Sequence, residues 1–299
     1  MTETKDKKWV FIVLIAICAL LWGLSFFGTK VALTYMDTMQ VLCLRWTIAA
    51  IIFALLAAFK VIKINFKGKP VKFIMLLGLV QPCIYSVFET TGIDLTTTSE
   101  SSIMIATIPL MVLVLGRVVL KRKFSRRTVF AIVMAFVGVF ICIAFAPNFS
   151  LGGKGLGYLA LFGAVTTGAT YNHMSNKAAD NFSPLEITFM MAIAGGVVFN
   201  ILNFTMGYGV TAYKMMFGNL ECFIAILFLG VGCSCICYII YNLALGKLPT
   251  AIASNMVANS TTAVGVLSGV IFAGDPFGWY TIVGLGLTLA GIWITSSKV

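Results

Sequence analysis

The sequence predicts an all-α polytopic membrane protein with ten transmembrane helices arranged as two inverted five-helix repeats. Three observations support this fold class. Of the 299 residues 60% are hydrophobic and only 10% are charged, with a mean hydropathy of +1.01, which does not suit a water-facing surface. Ten apolar segments have lengths close to the ~20 residues that a helix needs to cross a bilayer. Finally, residues 74–115 align with residues 226–267 without a gap.

The ten predicted spans follow one another with short connections. In the first half they cover residues 9–29, 40–59, 73–93, 101–120 and 129–146, and in the second half residues 157–177, 185–206, 222–245, 252–273 and 279–296. Turn-forming residues lie between several of them, including Gly68 to Pro70, Pro147-Asn148, Ser183-Pro184 and Gly274 to Pro276. Ten spans of ~20 residues leave no room for a soluble domain.

The basic residues predict the orientation in the membrane. Lys and Arg total 21 against 10 Asp and Glu, a net charge of +11. With ten spans and a cytoplasmic amino terminus, sixteen of them fall in cytoplasmic segments, whereas only Lys154 and Lys214 fall in outer loops. This bias predicts a cell-membrane protein with both termini in the cytoplasm. The basic runs are interpreted as topology determinants and lipid-headgroup contacts, and no nucleic-acid partner is expected.

The cysteine pattern predicts reduced thiols rather than a metal site. All eight cysteines lie in or beside apolar segments, unlike those of a secreted disulfide scaffold. On a helix only Cys233 and Cys237 of the Cys233-Ser-Cys235-Ile-Cys237 run share a face, and no histidine lies nearby. We therefore expect neither a bound metal nor a cofactor.

The internal repeat carries the main functional prediction. At an offset of 152 residues, 12 of 42 positions are identical, where about four matches are expected from membrane composition alone. The register resumes at an offset of 153, for example at Phe124/Phe277. We divide the chain into repeats at residues 1–146 and 154–299. Because five helices are an odd number, the second copy enters the membrane from the opposite side, an arrangement typical of secondary transporters.

Several short signatures resemble the EamA-type permeases of the drug/metabolite transporter superfamily. They are Trp22-Gly23, Leu44-Arg45-Trp46, Phe88-Glu89 through Ser102 before Pro109, Gly274-Asp275 and Ala290-Gly291. The resemblance covers residues 9–297. It implies a central cavity lined by helices 1, 3, 4, 6, 8 and 9, with helices 5 and 10 outside it, and transport of small metabolites. The chain departs from many relatives at Asn259-Ser260-Thr261, where they carry an acidic residue and a proline.

Two charged residues and one histidine inside the spans are candidates for coupling. Arg45 and Glu89 lie at similar depth near the outer ends of helices two and three, which predicts an inward-facing ion pair. The pair could be static. Alternatively, Glu89 takes up a proton or a substrate ammonium and releases Arg45. His173 is either a hydrogen-bonded core group or a proton relay.

The polar and aromatic residues of the spans predict two half-cavities for a small amphipathic ligand. We assign Trp22, Ser25, Tyr85, Glu89 and Thr107 to the outer half, and Tyr171, Asn172, Tyr241, Asn242, Asn255 and Asn259 to the inner half. Simple interhelical hydrogen bonding is the alternative explanation for these residues.

The predicted function is secondary transport of a small metabolite, an amino acid or a related compound, by alternating access and in the export direction. The alternatives are a sensor built on a transporter fold and an intramembrane enzyme. Against an enzyme, the spans hold no metalloprotease motif, no acidic dyad and no nucleophile elbow. The expected partners are the substrate, the lipid bilayer and, if transport is coupled, protons. Small residues at Gly286/Ala290 and Ala131/Ala135 allow a homodimer.

Overall fold

The computed structural model describes residues 2–120, 125–147, 151–247 and 250–296, and all regular secondary structure in those ranges is helical. The helices are α1 (Thr2–Leu33), α2 (Thr38–Ala58), α3 (Val71–Leu95), α4 (Thr98–Ile105), α5 (Ile108–Leu120), α6 (Arg126–Ala144), α7 (Leu151–Ala178), α8 (Pro184–Thr205), α9 (Thr211–Gly218), α10 (Leu220–Lys247), α11 (Thr250–Phe272) and α12 (Trp279–Ser296). The chain is an all-helical, multi-pass membrane protein.

Seven helical segments in the described part of the chain are long and apolar enough to cross a bilayer. They are Val13–Leu33, Thr38–Ala58, Val71–Leu95, Thr98–Val118, Arg126–Ala144, Pro184–Thr205 and Leu220–Lys247. Two shorter apolar stretches, Val257–Phe272 and Trp279–Ile294, belong to α11 and α12. Large apolar side chains such as Phe130, Phe140 and Trp293 are more than 60% exposed, as expected for surfaces that face lipid.

The fourth predicted span is broken in the structure. It begins at Thr98, three residues before the predicted start, and its helix is interrupted at Ala106 and Thr107 before α5 begins at Ile108. Pro109 therefore occupies the first turn of a new helix, where its missing N–H costs nothing. The short helix α9 was not predicted, since its sequence is neither long nor apolar enough for a span.

Helices α3 and α10 each contain a π-helical segment, at Leu79–Tyr85 and Phe228–Cys237. Pro82 lies in the first segment, and the wider turn accommodates a residue without an N–H. At the repeat offset of 152 residues, positions 79–85 correspond to 231–237, so both segments end at equivalent positions. Segments of this kind are frequent at functional sites.

Helices α6 and α12 pack very closely on each other through small residues. A Cβ at Gly138 would lie 2.5 Å from the Gly284 carbonyl oxygen, and one at Gly291 would lie 2.5 Å from the carbonyl oxygen of Ala131 and 2.7 Å from the Ala135 Cβ. Ala131 and Ala135, predicted as a possible dimer face, are fully buried against Gly291 of the same chain. These two alanines therefore provide a close helix contact within one chain, whereas Gly286 is exposed and has open space around it.

Helices α2 and α8 form another close pair, with an added Cβ at Gly196 lying 2.7 Å from the Ala50 Cβ, and their first turns are built alike. Asp37 forms a capping box with Gln40, and Ser183 forms one with Glu186, at an offset of 146 residues. Glu186 is also held by Lys69, with 2.7 Å between Nζ and Oε2.

Candidate functional site

A central cavity of about 80 Å³ lies between the helices. A single buried water needs roughly 10–15 Å³ on the same measure, so the cavity is large enough for several waters or a small polar molecule. Its lining comes from α1, α2, α3, α4, α5, α7, α10 and α11, with Ala106 from the break between α4 and α5. The family resemblance predicted all of these contributors except α2, which adds Arg45.

The charged end of the cavity holds Arg45 and Glu89. Arg45 Nη1 lies 3.9 Å from Glu89 Oε2, and the two side chains are 5% and 13% exposed. Arg45 Nε donates to Ser234 Oγ at 2.7 Å, and the Tyr85 hydroxyl donates to Glu89 Oε1 at 2.7 Å. Each charge thus has one short hydrogen bond to a neutral group, while the distance between the charges is too long for a direct hydrogen bond. Both charged groups line the cavity, so each can hydrogen-bond to a polar ligand group there.

Aromatic rings form the wall beside the charged pair. The Trp22 ring lies 5.2 Å from that of Tyr238 and 5.0 Å from that of Tyr241, both in edge-to-face geometry. The Trp22 Nε1 group donates to the Cys233 carbonyl at 3.2 Å, within the π-helical segment of α10. Gly168 allows the Tyr85 ring to approach α7, since a Cβ there would lie 3.1 Å from it. The rings are therefore held rigidly by their neighbours.

The opposite end of the cavity is neutral and hydrogen-bonded. Asn172 Nδ2 donates to Ser254 Oγ at 2.8 Å, and the Tyr241 hydroxyl donates to the same oxygen at 3.3 Å. Thr261 also lines the cavity, and its buried hydroxyl has no hydrogen-bond partner among the residues that the structure describes. This end can accept a polar but uncharged part of a ligand.

The structure places many of the predicted site residues around one cavity. Those in its lining are Trp22, Ser25, Arg45, Tyr85, Glu89, Tyr171, Asn172 and Tyr241. The remaining predicted residues are outside it, namely Thr107, His173, Asn242, Asn255 and Asn259. Trp22 and Tyr241, assigned to the outer and the inner half-cavity, are in ring contact.

The residues outside the lining have other neighbours. The Thr107 hydroxyl donates to the Met104 carbonyl at the helix break, and His173 Nε2 lies 2.9 Å from the Val112 carbonyl oxygen. Asn255 and Asn259 were predicted to line the inner half-cavity, but they are not in the cavity lining, and their buried Oδ1 atoms have no hydrogen-bond partner in the described part of the chain. Helical spacing placed these two residues on one face of α11, but it could not specify towards which neighbour that face turns.

Asn242 joins three helices instead of lining the cavity. Its Oδ1 accepts from the Tyr171 hydroxyl at 2.6 Å and from Ser175 Oγ at 2.7 Å, and its Nδ2 donates to Thr188 Oγ1 at 3.0 Å. These bonds connect α10 to α7 and α8.

Replacing Asn242 with Ala should therefore lower stability by about 2–3 kcal/mol, because it leaves buried hydroxyls unpaired. Thermal unfolding in detergent measures this. Asn259→Ala is the matched control, since the Asn259 Oδ1 has no hydrogen-bond partner to lose within residues 2–120, 125–147, 151–247 and 250–296. Equal losses in the two variants would contradict the assigned role of Asn242.

Some lining residues were missed by sequence reasoning. Gln81 and Tyr238 line the cavity and are joined by a 2.6 Å hydrogen bond from Gln81 Nε2 to the tyrosine oxygen. Gln81 lies one turn before Tyr85, so helical spacing could have found it. Ser102 and Ser254 are identical residues of the repeat alignment and both line the cavity, which is a second unused signal.

The eight cysteines are all free and buried. The Cys18 thiol donates to the Cys237 carbonyl and the Cys237 thiol to the Cys18 carbonyl, so these two residues join α1 to α10. Within the described residues, no group of three or more His, Cys, Asp or Glu side chains is arranged to hold a metal ion.

Comparison with known proteins identifies the family. A sequence profile described as the EamA-like transporter family matches residues 9–144 and again residues 155–297. "Uncharacterized transporter YcxC" of Bacillus subtilis is 26% identical over 90% of this chain and 87% of its own length. An "Uncharacterized transporter" of Archaeoglobus fulgidus is 24% identical over 98% of this chain and 99% of its own length. A solved crystal structure has the same fold, with a TM-score of 0.69 at 13% identity, covering 97% of this chain and 99% of its own. The chain belongs to the EamA-like transporter family.

Proposed function

We propose that this protein is a secondary transporter that moves a small zwitterionic metabolite, an amino acid or a related compound, out of the cell by alternating access. The observation that carries the proposal is the central cavity, in which one separated Arg45–Glu89 pair faces an aromatic wall. The pair has no net charge, so it suits a ligand that is itself neutral overall but carries both charges. The ligand's ammonium group binds Glu89 and its carboxylate binds Arg45.

The proposed architecture is ten spans in two inverted repeats, residues 1–146 and 154–299, with the cavity on their pseudo-twofold axis. Equivalent positions of the two halves line the same cavity, which supports this arrangement. At the 146-residue offset the pairs are Trp22/Gly168, Ser25/Tyr171 and Phe26/Asn172, and at the 152-residue offset they are Glu89/Tyr241, Ser102/Ser254, Ile105/Val257 and Ala106/Ala258. Two halves of like shape and opposite orientation give two access states of similar energy.

Packing between the halves supports the same symmetry. Gly78 of α3 lies against α8, where an added Cβ would be 3.1 Å from Ala194. Its equivalent Gly230 of α10 lies against α2, where an added Cβ would be 2.8 Å from Ile48. Each glycine therefore packs on the second helix of the other repeat, as an axis relating the halves requires.

We propose the cytoplasmic membrane as the location and the cytoplasm as the side of both termini, because the basic residues concentrate in the segments that this topology places inside. Proton coupling through Glu89 is part of the proposal. No enzymatic step is proposed, because the relatives are transporters by name and by family.

Counterflow in proteoliposomes tests the proposal. Purified protein is screened with pooled amino acids, nucleosides, sugars and cationic dyes, with and without a pH gradient. We expect a saturable signal from the amino acid pool and a faster signal under the gradient. A signal from another pool would overturn the substrate class. Silence from every pool, with the protein folded and inserted, would favour a sensor built on the transporter fold.

A further inference from the structure

Gln81 and Tyr238 form a neutral polar pair in the cavity lining, separate from the charged pair. Gln81 lies in the π-helical segment of α3, and Tyr238 directly follows the π-helical segment of α10. The two residues are 4% and 3% exposed, and Gln81 Nε2 donates to the Tyr238 oxygen at 2.6 Å. The Tyr238 ring is held in place by Trp22 and Trp46, whose rings lie 5.2 and 5.8 Å from it.

Two hydrogen-bonding groups of this pair remain unused. Gln81 Oε1 is buried and has no hydrogen-bond partner among the described residues. The Tyr238 oxygen accepts the bond from Gln81, and its own hydrogen has no acceptor in that part of the chain. Waters in the cavity can pair with these groups in the empty protein. A ligand that displaces the waters without replacing their hydrogen bonds therefore binds less tightly.

The unused groups are one acceptor and one donor, whichever way the amide is turned. With Nε2 towards Tyr238, the free groups are Gln81 Oε1 and the tyrosine hydrogen. With the amide rotated by half a turn, Oε1 accepts from the tyrosine, and the free groups are the amide NH2 and the tyrosine oxygen. A ligand group that pairs with both must itself donate and accept, as a carboxamide does.

The repeat indicates that the fold does not need an amide at this position. At the 152-residue offset Gln81 corresponds to Cys233. The Cys233 thiol donates to the Leu21 carbonyl at 3.6 Å, and this residue is not in the cavity lining. A small side chain bonded to the neighbouring helix is therefore enough in the second half. The longer amide of the first half reaches the cavity lining, which favours a role in ligand binding.

Gln81 shares one face of α3 with the groups that we assign to the ligand's ammonium. Tyr85 and Glu89 follow it at intervals of one turn, and all three residues line the cavity. The Tyr85 hydroxyl donates to Glu89 Oε1 at 2.7 Å. Two helical turns rise about 11 Å, so an extended zwitterion with its ammonium at Glu89 has its far end near Gln81.

We propose that the substrate is an amino acid whose side chain ends in a carboxamide, and that Gln81 and Tyr238 select for this group. The inference rests on the proposed function and names the substrate class within it. Glutamine has the required chemistry. Methionine has a similar length but leaves the donor and the acceptor of the pair without partners. Glutamate brings a second carboxylate into a cavity that already contains Glu89, and like charges repel each other there.

Counterflow of glutamine, methionine and glutamate in proteoliposomes tests this selectivity, with kcat/KM measured for each. The parent protein should prefer glutamine to each of the other two by about tenfold or more, because a site built for hydrogen bonding rejects ligands that lack them. Gln81→Met keeps the length of the side chain and removes both amide groups. It should lower the kcat/KM for glutamine about tenfold, retain that for methionine and bring their ratio close to one. Tyr238→Phe should reduce the ratio less.

The matched control is Asn203→Leu in α8. Asn203 is also a buried amide whose Nδ2 makes one hydrogen bond, to the Gly209 carbonyl at 2.7 Å, and whose Oδ1 has no partner within the described ranges. It does not line the cavity, so this variant should keep the parental ratio of glutamine to methionine.

The inference is overturned if the parent exchanges glutamine and methionine equally well, or if correctly folded Gln81→Met and Tyr238→Phe keep the parental ratio. An equal loss for both amino acids in Gln81→Met would also overturn it, since a merely structural amide has that effect. Exchange of methionine but not glutamine would leave the transport of amino acids intact and refute only the carboxamide. Absence of exchange for every amino acid would refute both.

Discussion

Replacing Glu89 with Gln should abolish the pH dependence of transport and reduce exchange of the substrate at least tenfold. The amide keeps the size of the carboxylate and can still accept the hydrogen bond from Tyr85, but it cannot bind a proton or form an ion pair with a substrate ammonium. Arg45 keeps its hydrogen bond to Ser234 in this variant. The measurement is counterflow across a range of pH values in proteoliposomes.

Two further variants control for effects other than the loss of a titratable group. Glu89→Asp keeps the charge and should retain a pH response. Glu221→Gln removes an exposed carboxylate that accepts from Tyr35 outside the cavity, and it should transport as the parent does. If Glu89→Gln responds to pH as the parent does, Glu89 is not the coupling group and its pairing with Arg45 is static.

Replacing Gly284 with Ile should cause the largest loss of stability of the substitutions considered for this protein. A Cβ at Gly284 would overlap the Cys142 sulfur and lie 2.5 Å from the Gly138 carbonyl oxygen, so α6 and α12 must move apart. Overpacking of this kind costs about 3 kcal/mol. Thermal unfolding in detergent should show a Tm lower by roughly 5–10 °C.

The neighbouring glycine on the opposite face of α12 provides a matched control. Gly286 has no atom within 4 Å of the position of an added Cβ, so Gly286→Ile should leave the Tm within about 1 °C of the parent. If both variants lower the Tm equally, the loss of stability comes from helix propensity or from membrane insertion of α12. That result would contradict the close packing of α6 on α12. Self-association of Gly286→Ile tests the remaining dimer face, since Gly286 is exposed.

The candidate site was predictable from the sequence for those side chains whose transfer into lipid costs much free energy. Arg45 and Glu89 could be paired from their similar depth in the membrane alone. Two opposite charges at the same depth lower the free-energy cost of placing each other in lipid. Asn255 and Asn259 show the limit of this approach. An amide one turn from another defines a face of a helix, but several neighbours could cover that face. In the structure these two side chains do not reach the cavity, whereas Gln81 and Tyr238 do.

Hydropathy and charge, read along the sequence, determined that the protein spans a membrane, which segments are apolar and that the chain contains a repeat. These properties depend on the transfer free energy of each segment into lipid, which is a local quantity. The tertiary structure decided the rest: the break at Ala106 and Thr107, the contact of α6 with α12 and the set of side chains that line the central cavity. Such features depend on which helices are neighbours and how they are rotated, because a membrane makes all apolar faces nearly equivalent and leaves the choice to packing and interhelical hydrogen bonds.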